Sequence, residues 1–465
     1  MHRVLRRPWR MGVVLWGSAH ASAPSRAPVV AATAFRGFSS DVLHDYRDFK
    51  LNPSPLLARS ICQDYLKLPS VHTSEEKRNI LHYLAATLAV DPEVVSNLLE
   101  HRGRLHAPTI EKIRQACTPP FANFLEDLIR QDVRVAIPFL VALRNDLLQW
   151  KQYADTDLSS LDGYLRTLLS NWFLLLKFER LAYDTSPAAL IEKVARLEAV
   201  HPMQSLQDLK DRLGPGRRVF CLLSDLLPGD PLVVLYVSLQ SGHIPASMAE
   251  IYEPATTGTA DVACFYSISN GQPGLAGLGL GETLIHRAVD VLRAEGLERF
   301  CTLSPLPNFR SWLEHSLQAT DAFTPTPGLL SADDLEALAA SLSCPAEDVQ
   351  SQLLYLLQNE GPDLLDIPGM ERILRRLAAR YLAVEKHRRH PFDPVARFHC
   401  GNGARMLALR YRADLSRKRW KQSYGLMVSY LYELDELETR RSSYPQEIIV
   451  DESIEELLPK GFDGR

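Results

Sequence analysis

Three short stretches of this chain carry residue types that could do chemistry together. The first, Phe265 to Leu292, runs an apolar pattern into Gly277, Gly279 and Gly281 and then directly into a helical pattern. Glycines there leave backbone N–H groups unshielded at a helix N-terminus, which suits a pyrophosphate. A bare turn between strand and helix also asks for glycine, so the motif alone leaves both readings open. In the second stretch Ser304 precedes Pro305 and Pro307, which bias its backbone toward an extended conformation and place its hydroxyl just past the end of a strand. The third reads as a loop between Pro394 and Gly403 and holds His399, flanked by Phe398, Cys400 and Asn402. A hydroxyl and an imidazole can hydrogen-bond a reacting group and move a proton near neutral pH.

Each of these residues also has an ordinary reading. A serine at a strand end caps turns, and His201, His387 and His390 are as visible as His399 among the fourteen histidines. There is no G-x-S-x-G elbow, no HExxH spacing and no acidic cluster around His399, so neither a hydrolase serine nor a metal site is indicated. Tyr430 in a strand pattern, Glu385 in the segment EKHR, and Arg217 with Arg218 are second-tier candidates, read more simply as packing, a solvated helix face and surface charge.

The elements that must position these groups change character along the chain. From Asp41 to Trp172 the apolar spacing is helical, with Ile80, Leu84 and Leu88 on one stripe. Phe139, Leu140, Leu143 and Leu147 form another, behind a Pro138 placed in a first helical turn. After Pro215 come short β-branched or aromatic runs, Val219 to Leu223, Leu232 to Leu239, Val262 to Ile268 and Phe300 to Leu303. A helix over about Glu282 to Ala294 joins the last two, so a right-handed crossover makes them parallel or nearly so. Ser304 then lies on the same sheet edge as the glycine turn, where open α/β sheets bind ligands. Helical spacing returns from Ser331 to Arg389, with a capping-box start at Ser331 and Asp334 and a charged amphipathic helix over Glu371 to His387. Strand signals resume at Arg405 to Tyr411 and Gly425 to Tyr432, which makes the helices an insertion within one α/β domain.

Composition narrows the function classes. The length of 465 residues, with 46% hydrophobic and 23% charged content, suits two or three globular domains. The first forty residues hold six arginines and no acid, the profile of a mitochondrial transit peptide, with Arg36-Gly37-Phe38-Ser39 as its end. Without those six charges the net −4 becomes −10 for residues 41 to 465, which argues against nucleic acid as a partner. No segment is apolar over the roughly 20 residues of a membrane span. Seven cysteines without CxxC spacing fit a reducing compartment, and the C-terminal KGFDGR lacks an SKL-type peroxisomal signal.

Taken in order, EAVHP, GPGRR, PLVVLYVSL, FYSIS with the glycine turn, LSPLPNF, EKHR, DPVARFH with GNGA, and YGLMVSY span most of residues 160 to 435, and this series resembles the malonyl-CoA decarboxylase family. The resemblance implies a transit peptide over 1–38, an all-helical and oligomerising domain over 39–172, and a catalytic domain over 173–465. The fold class it implies is α+β, with a GNAT-like (acyl-CoA N-acyltransferase) mixed sheet and a helical insertion. It places the acyl-CoA pyrophosphate on Ala276, Gly277, Leu278, Gly279, Leu280, Gly281 and Glu282, the catalytic pair on Ser304 and His399, and supporting positions on Ser267 and Tyr430. It further implies malonyl-CoA as substrate, no cofactor beyond the substrate's own CoA and a homotetramer; the proton donor is a protonated His399 or, with the roles exchanged, Ser304, and the leader points to the mitochondrial matrix, leaving open a cytoplasmic form from a second start. Ala188 stands where some relatives carry an interchain-disulfide cysteine, so that bond is not expected here. The rival readings are a GNAT-type N-acyltransferase acting on an amine, and a CoA-binding scaffold without turnover.

Overall fold

The computed structural model describes residues 41–100, 107–198, 201–203, 205–253, 259–318 and 329–459. The proposed leader and the C-terminal KGFDGR lie outside them. Among the described residues helices dominate from Asp41 to Trp172, as the apolar spacing predicts, and Ile80, Leu84 and Leu88 are buried. Pro138 is a correction: the helix Val133–Trp150 begins at Asp132, whose side chain accepts from the Arg134 N–H at 3.1 Å, so Pro138 lies inside it rather than in its first turn. The Asp132 cap starts the helix a turn earlier than expected, and packing of Ile137, Phe139, Leu140 and Leu143 offsets the one ladder bond a proline removes.

Seven strands form the main sheet in the order β1-β2-β3-β4-β5-β9-β8. They are β1 (Lys177–Leu181), β2 (Arg217–Leu223), β3 (Val233–Gln240), β4 (Val262–Asn270), β5 (Arg299–Pro305), β8 (Arg405–Arg410) and β9 (Met427–Tyr432); β6 (Lys386–His387) and β7 (His390–Pro391) make a separate small hairpin. Every pairing in the main sheet is antiparallel except β4 with β5, as the intervening helix Leu280–Ala294 requires. Strand β1 has no counterpart in the sequence reading, because KFERL alternates too weakly between apolar and polar to signal a strand.

The parallel pair is hydrogen-bonded only from Val262↔Arg299 to Phe265↔Thr302, although β4 continues to Asn270 and β5 to Pro305. On its other side β4 carries a bulge: Ser267 pairs with Tyr236 and Phe265 with Val237, leaving Tyr266 without a partner. A bulge bends its strand and adds twist, so β4 leaves β5 and a wedge opens between their C-terminal halves. β9 meanwhile stays paired with β5 through Pro305↔Met427. Ser304 is therefore inside the strand rather than past its end, and Pro305 is tolerated because the strand's other flank has already lost its neighbour.

One face of the sheet buries Phe220, Leu235, Phe265 and Phe300 in a core shared with the N-terminal helices, and the helix Leu280–Ala294 adds Leu284, Ala288 and Leu292 to it. The opposite face packs Cys221, Tyr236, Cys264 and Leu303 against Leu190 and Val194 of the helix Ala188–Leu197. Between β5 and β8 lies the expected helical insertion, opened by a capping box at Ser331 and Asp334. Its last helix is shorter than predicted: Met370–Ala379 ends in a wide π-type turn over Arg380–Val384, and Lys386 and His387 pair as β6. The charge pattern continues past residue 384, but cross-strand pairing with His390 and Pro391 overrides helix propensity there.

His399 occupies a helix, Pro394–Gly401, and not the loop predicted for it. Asp393 caps it by accepting from Val395 N–H at 2.9 Å and Ala396 N–H at 2.8 Å, and Tyr381 donates to the other carboxylate oxygen at 3.0 Å. Pro394 in the first position is pre-shaped for a helix start, so a residue read as a breaker is an initiator. Replacing Asp393 with Ala removes the cap and leaves the buried Tyr381 hydroxyl without an acceptor. We expect D393A to lose about 2 kcal/mol in denaturant unfolding; a loss below about 0.5 kcal/mol would contradict this account of the helix.

Candidate active site

The wedge between β4 and β5 contains a cavity of about 700 Å³. Its lining includes Gly277, Leu278, Gly279, Leu280, Gly281 and Glu282 of the turn, Ser267 and Ile268 of β4, and Ser304 and His399. Ala276 is not in the lining, but its carbonyl fixes the turn by accepting from Arg144 at 2.8 Å. Gly277 and Gly279 have φ of +79° and +74°, conformations open to glycine and strained for most other residues. Gly279 starts the helix Leu280–Ala294 with no side-chain cap, so its first amides have no partner within the helix. Glu282 is held by an ion pair to Arg441 at 2.8 Å, which offsets its charge beside that anion-binding geometry.

Ser304 and His399, 95 residues apart, meet with Oγ 3.0 Å from Nε2. Strand alternation explains the meeting: Phe300, Thr302 and Ser304 face one side of β5, opposite Tyr432, Tyr430 and Val428 of β9, and the His399 helix lies over that face. The His399 ring stacks on Tyr430 at a centroid distance of 4.4 Å and 27°, while Nδ1 lies 2.7 Å from Tyr432 Oη. Burial raises the Tyr432 phenol well above its ordinary range, so its hydroxyl keeps its proton and can donate to or accept from Nδ1. Ser304 donates its one proton to Thr302 Oγ1 at 2.9 Å, so its Oγ accepts from His399, which is assigned the Nε2–H tautomer with Nδ1 accepting from Tyr432. Ser304 and His399 are 5% and 7% exposed, which leaves both reachable only from the cavity.

Burial lowers the His399 pKa from 6.5 to about 3, so the imidazole is neutral in the free protein, and the imidazolium expected as proton donor is a species of the substrate complex. Tyr432 and Thr302 were not singled out beforehand. The signal for Tyr432 was present, since it lies two residues beyond Tyr430 on the same strand face. Ser267 faces the cavity and donates to the buried Glu198 at 2.7 Å, an acid visible beforehand only within EAVHP.

Of the second-tier candidates Tyr430 is in the site, against the His399 ring, and the others are elsewhere. Arg217 donates to the Ile251 and Glu253 carbonyls, Arg218 pairs with Glu295 at 2.6 Å, and Glu385 pairs with Arg380 at 3.0 Å. His390 lies 3.2 Å from the Tyr444 hydroxyl, and His387 is exposed. His201 is buried on the other face of the sheet beside Tyr266, and burial followed by Arg419, Arg212 and Lys418 lowers its pKa to about 3.

A histidine held neutral in the fold takes up a proton on unfolding at any pH below its unfolded value near 6.5 and above its folded value near 3. Its stabilising contribution is complete above 6.5 and is lost as pH falls through that window. Each such residue contributes on the order of 1.4 kcal/mol per pH unit. Wild-type stability should therefore fall more steeply than that of H399N between pH 6 and 4, by roughly that slope, in chemical unfolding followed at several pH values. Parallel curves would contradict the buried, neutral state of His399.

Residues 89–173 match the malonyl-CoA decarboxylase N-terminal domain and residues 173–463 the malonyl-CoA decarboxylase C-terminal domain. A Rattus norvegicus protein named malonyl-CoA decarboxylase, mitochondrial, is 32% identical over 414 residues, covering 84% of this chain and 83% of that protein. The crystal structure of malonyl-CoA decarboxylase from Agrobacterium vitis superposes with a TM-score of 0.74 at 30% identity, covering 90% of this chain and 99% of that one. The Rhodopseudomonas palustris structure of the same name gives 0.75 at 28% identity with the same coverage. The chain belongs to the malonyl-CoA decarboxylase family.

Proposed function

We propose that this protein decarboxylates malonyl-CoA to acetyl-CoA and carbon dioxide, with Ser304 and His399 as its catalytic residues. The observation that carries the reading is the 3.0 Å contact between Ser304 Oγ and His399 Nε2 inside a cavity also lined by an uncapped glycine turn. The turn takes the CoA diphosphate, and the thioester reaches along the wedge to the hydroxyl and imidazole. When the bond between carboxylate and α-carbon breaks, its electron pair passes into the thioester as an enolate and carbon dioxide leaves. The thioester is the electron sink, so the route asks for no metal or organic cofactor. Ser304 turns its hydroxyl from Thr302 to the enolate oxygen.

The reaction consumes one proton, and His399 is the group that delivers it. An anionic malonyl group beside a neutral imidazole favours the imidazolium, and both nitrogens then donate, Nδ1 to Tyr432 and Nε2 toward the α-carbon. The Tyr430 ring face stacked on His399 supports that cation. Such a site works in control of malonyl-CoA level and hence of fatty acid metabolism. The name shared by the mitochondrial relatives and the arginine-rich, acid-free first forty residues support a mitochondrial address. We extend the reading to a homotetramer assembled through the helical region 39–172, where Leu51 and Leu56 stand 77% and 82% exposed.

Malonyl-CoA supplied alone, with no acyl acceptor, should yield acetyl-CoA and carbon dioxide. S304A and H399N should each lower kcat by about 10²–10³-fold while CoA binding is retained. Y432F, which removes the donor to Nδ1, should lower kcat by about tenfold. A wild-type protein that forms no acetyl-CoA, or full turnover in both S304A and H399N, would overturn the reading.

A further inference from the structure

We propose that the N-terminal helices form part of the CoA site, with Arg166 binding the substrate's phosphates and Arg144 acting as the positioning residue that holds the glycine turn to receive them; this rests on the reading of the chain as a malonyl-CoA decarboxylase. Arg144, on the helix Val133–Trp150, is 3% exposed and spends its Nη1 hydrogens on two carbonyls of the turn, Gly274 at 2.7 Å and Ala276 at 2.8 Å. Its Nε donates to Asp162, on the helix Ser159–Trp172, at 3.1 Å. A buried guanidinium committed to backbone carbonyls of another region fixes those carbonyls in direction as well as place. In a trans peptide the carbonyl and the following N–H point opposite ways, so drawing the Ala276 oxygen toward the helices turns the Gly277 N–H to the other side. Gly277 lines the cavity.

The two regions touch at backbone level. A Cβ on Gly274 would stand 2.0 Å from the Val141 carbonyl oxygen, so the helix lies directly against the turn. Arg166 follows Asp162 by four residues on the same helix, which puts it on the same helix face. Its Cδ lies 4.0 Å from where a Cβ of Gly277 would be, and the side chain is exposed. Among the described residues no ion pair engages Arg166, whereas its neighbour Arg144 pairs with Asp162 through Nε and spends Nη1 on the turn.

Charge makes this cation consequential. Residues 41–465 carry a net −10, yet a CoA thioester brings a diphosphate and a 3′-phosphate. Among the cavity-lining residues the fixed charges are Glu282 and Arg397, and Arg397 already donates to the Pro391 carbonyl at 3.2 Å. Arg166 adds a planar, permanently charged donor set at the mouth of the turn, matched to phosphate oxygens.

The test compares R166A, R166K and R166E in the full chain, using malonyl-CoA and the phosphate-free thioester malonyl-pantetheine. We expect R166A to raise KM for malonyl-CoA about tenfold with kcat within about twofold, R166E to raise it further and R166K to restore most of the loss. Kinetics with malonyl-pantetheine should be unchanged in all three. Calorimetric binding of CoA itself should weaken in the same order, a comparison that stands whether or not turnover is observed. Absence of acetyl-CoA formation by wild type would sink the decarboxylase reading, whereas equal CoA affinity in R166A and wild type would sink the role of Arg166. So would an equal loss on both thioesters.

Discussion

The separation of two parallel strands after four paired residues is the constraint on which the site depends. β4 and β5 hold together from Val262↔Arg299 to Phe265↔Thr302 and then part. Had they stayed paired, backbone hydrogen bonds would fill the space where the cavity now lies, and Ser267 and Ser304 would flank a closed ladder. The bulge at Tyr266 drives β4 away, while β9 keeps β5 in place through Pro305↔Met427. Ser304 thus gains an open side without losing a rigid mount.

Around that wedge the protein assembles groups from distant parts of the chain at hydrogen-bond precision. The glycine turn follows from β4 in sequence, Ser304 from β5, and His399 arrives on a short helix capped by Asp393 after the whole helical insertion has intervened. Tyr430 and Tyr432 on β9 give the imidazole a stacking face and a hydroxyl that can donate to or accept from Nδ1. A hydroxyl of that versatility lets one site hold a neutral ring at rest and a charged one when an anion arrives. Arg144 ties the same turn to the N-terminal helices, so the helical region and the sheet share a core and, through that turn, a site.

Much of this was legible in the sequence, and the remainder failed for identifiable reasons. Strands with β-branched runs, such as Val233–Gln240, and the order of strand, glycine turn, helix and strand are local features that survive folding. The pairing of Ser304 with His399 came from resemblance to a family and not from spacing, since contact across 95 residues leaves no local trace. The His399 helix was misread because Pro394 looked like a breaker when Asp393 before it made it a start. The charge state of His399 depends on burial, and nothing in the spacing around Arg144 signals the two carbonyls at which tertiary packing aims it.

The most direct measurement is a crystal structure of the protein with a malonyl-CoA analogue that cannot lose carbon dioxide. The account predicts the diphosphate on the amides of Gly277 to Gly281, the thioester running through the wedge between β4 and β5, and the malonyl carboxylate within hydrogen-bond reach of both Ser304 and His399. A diphosphate bound away from that turn, or a malonyl group that ends out of contact with either side chain, would contradict it.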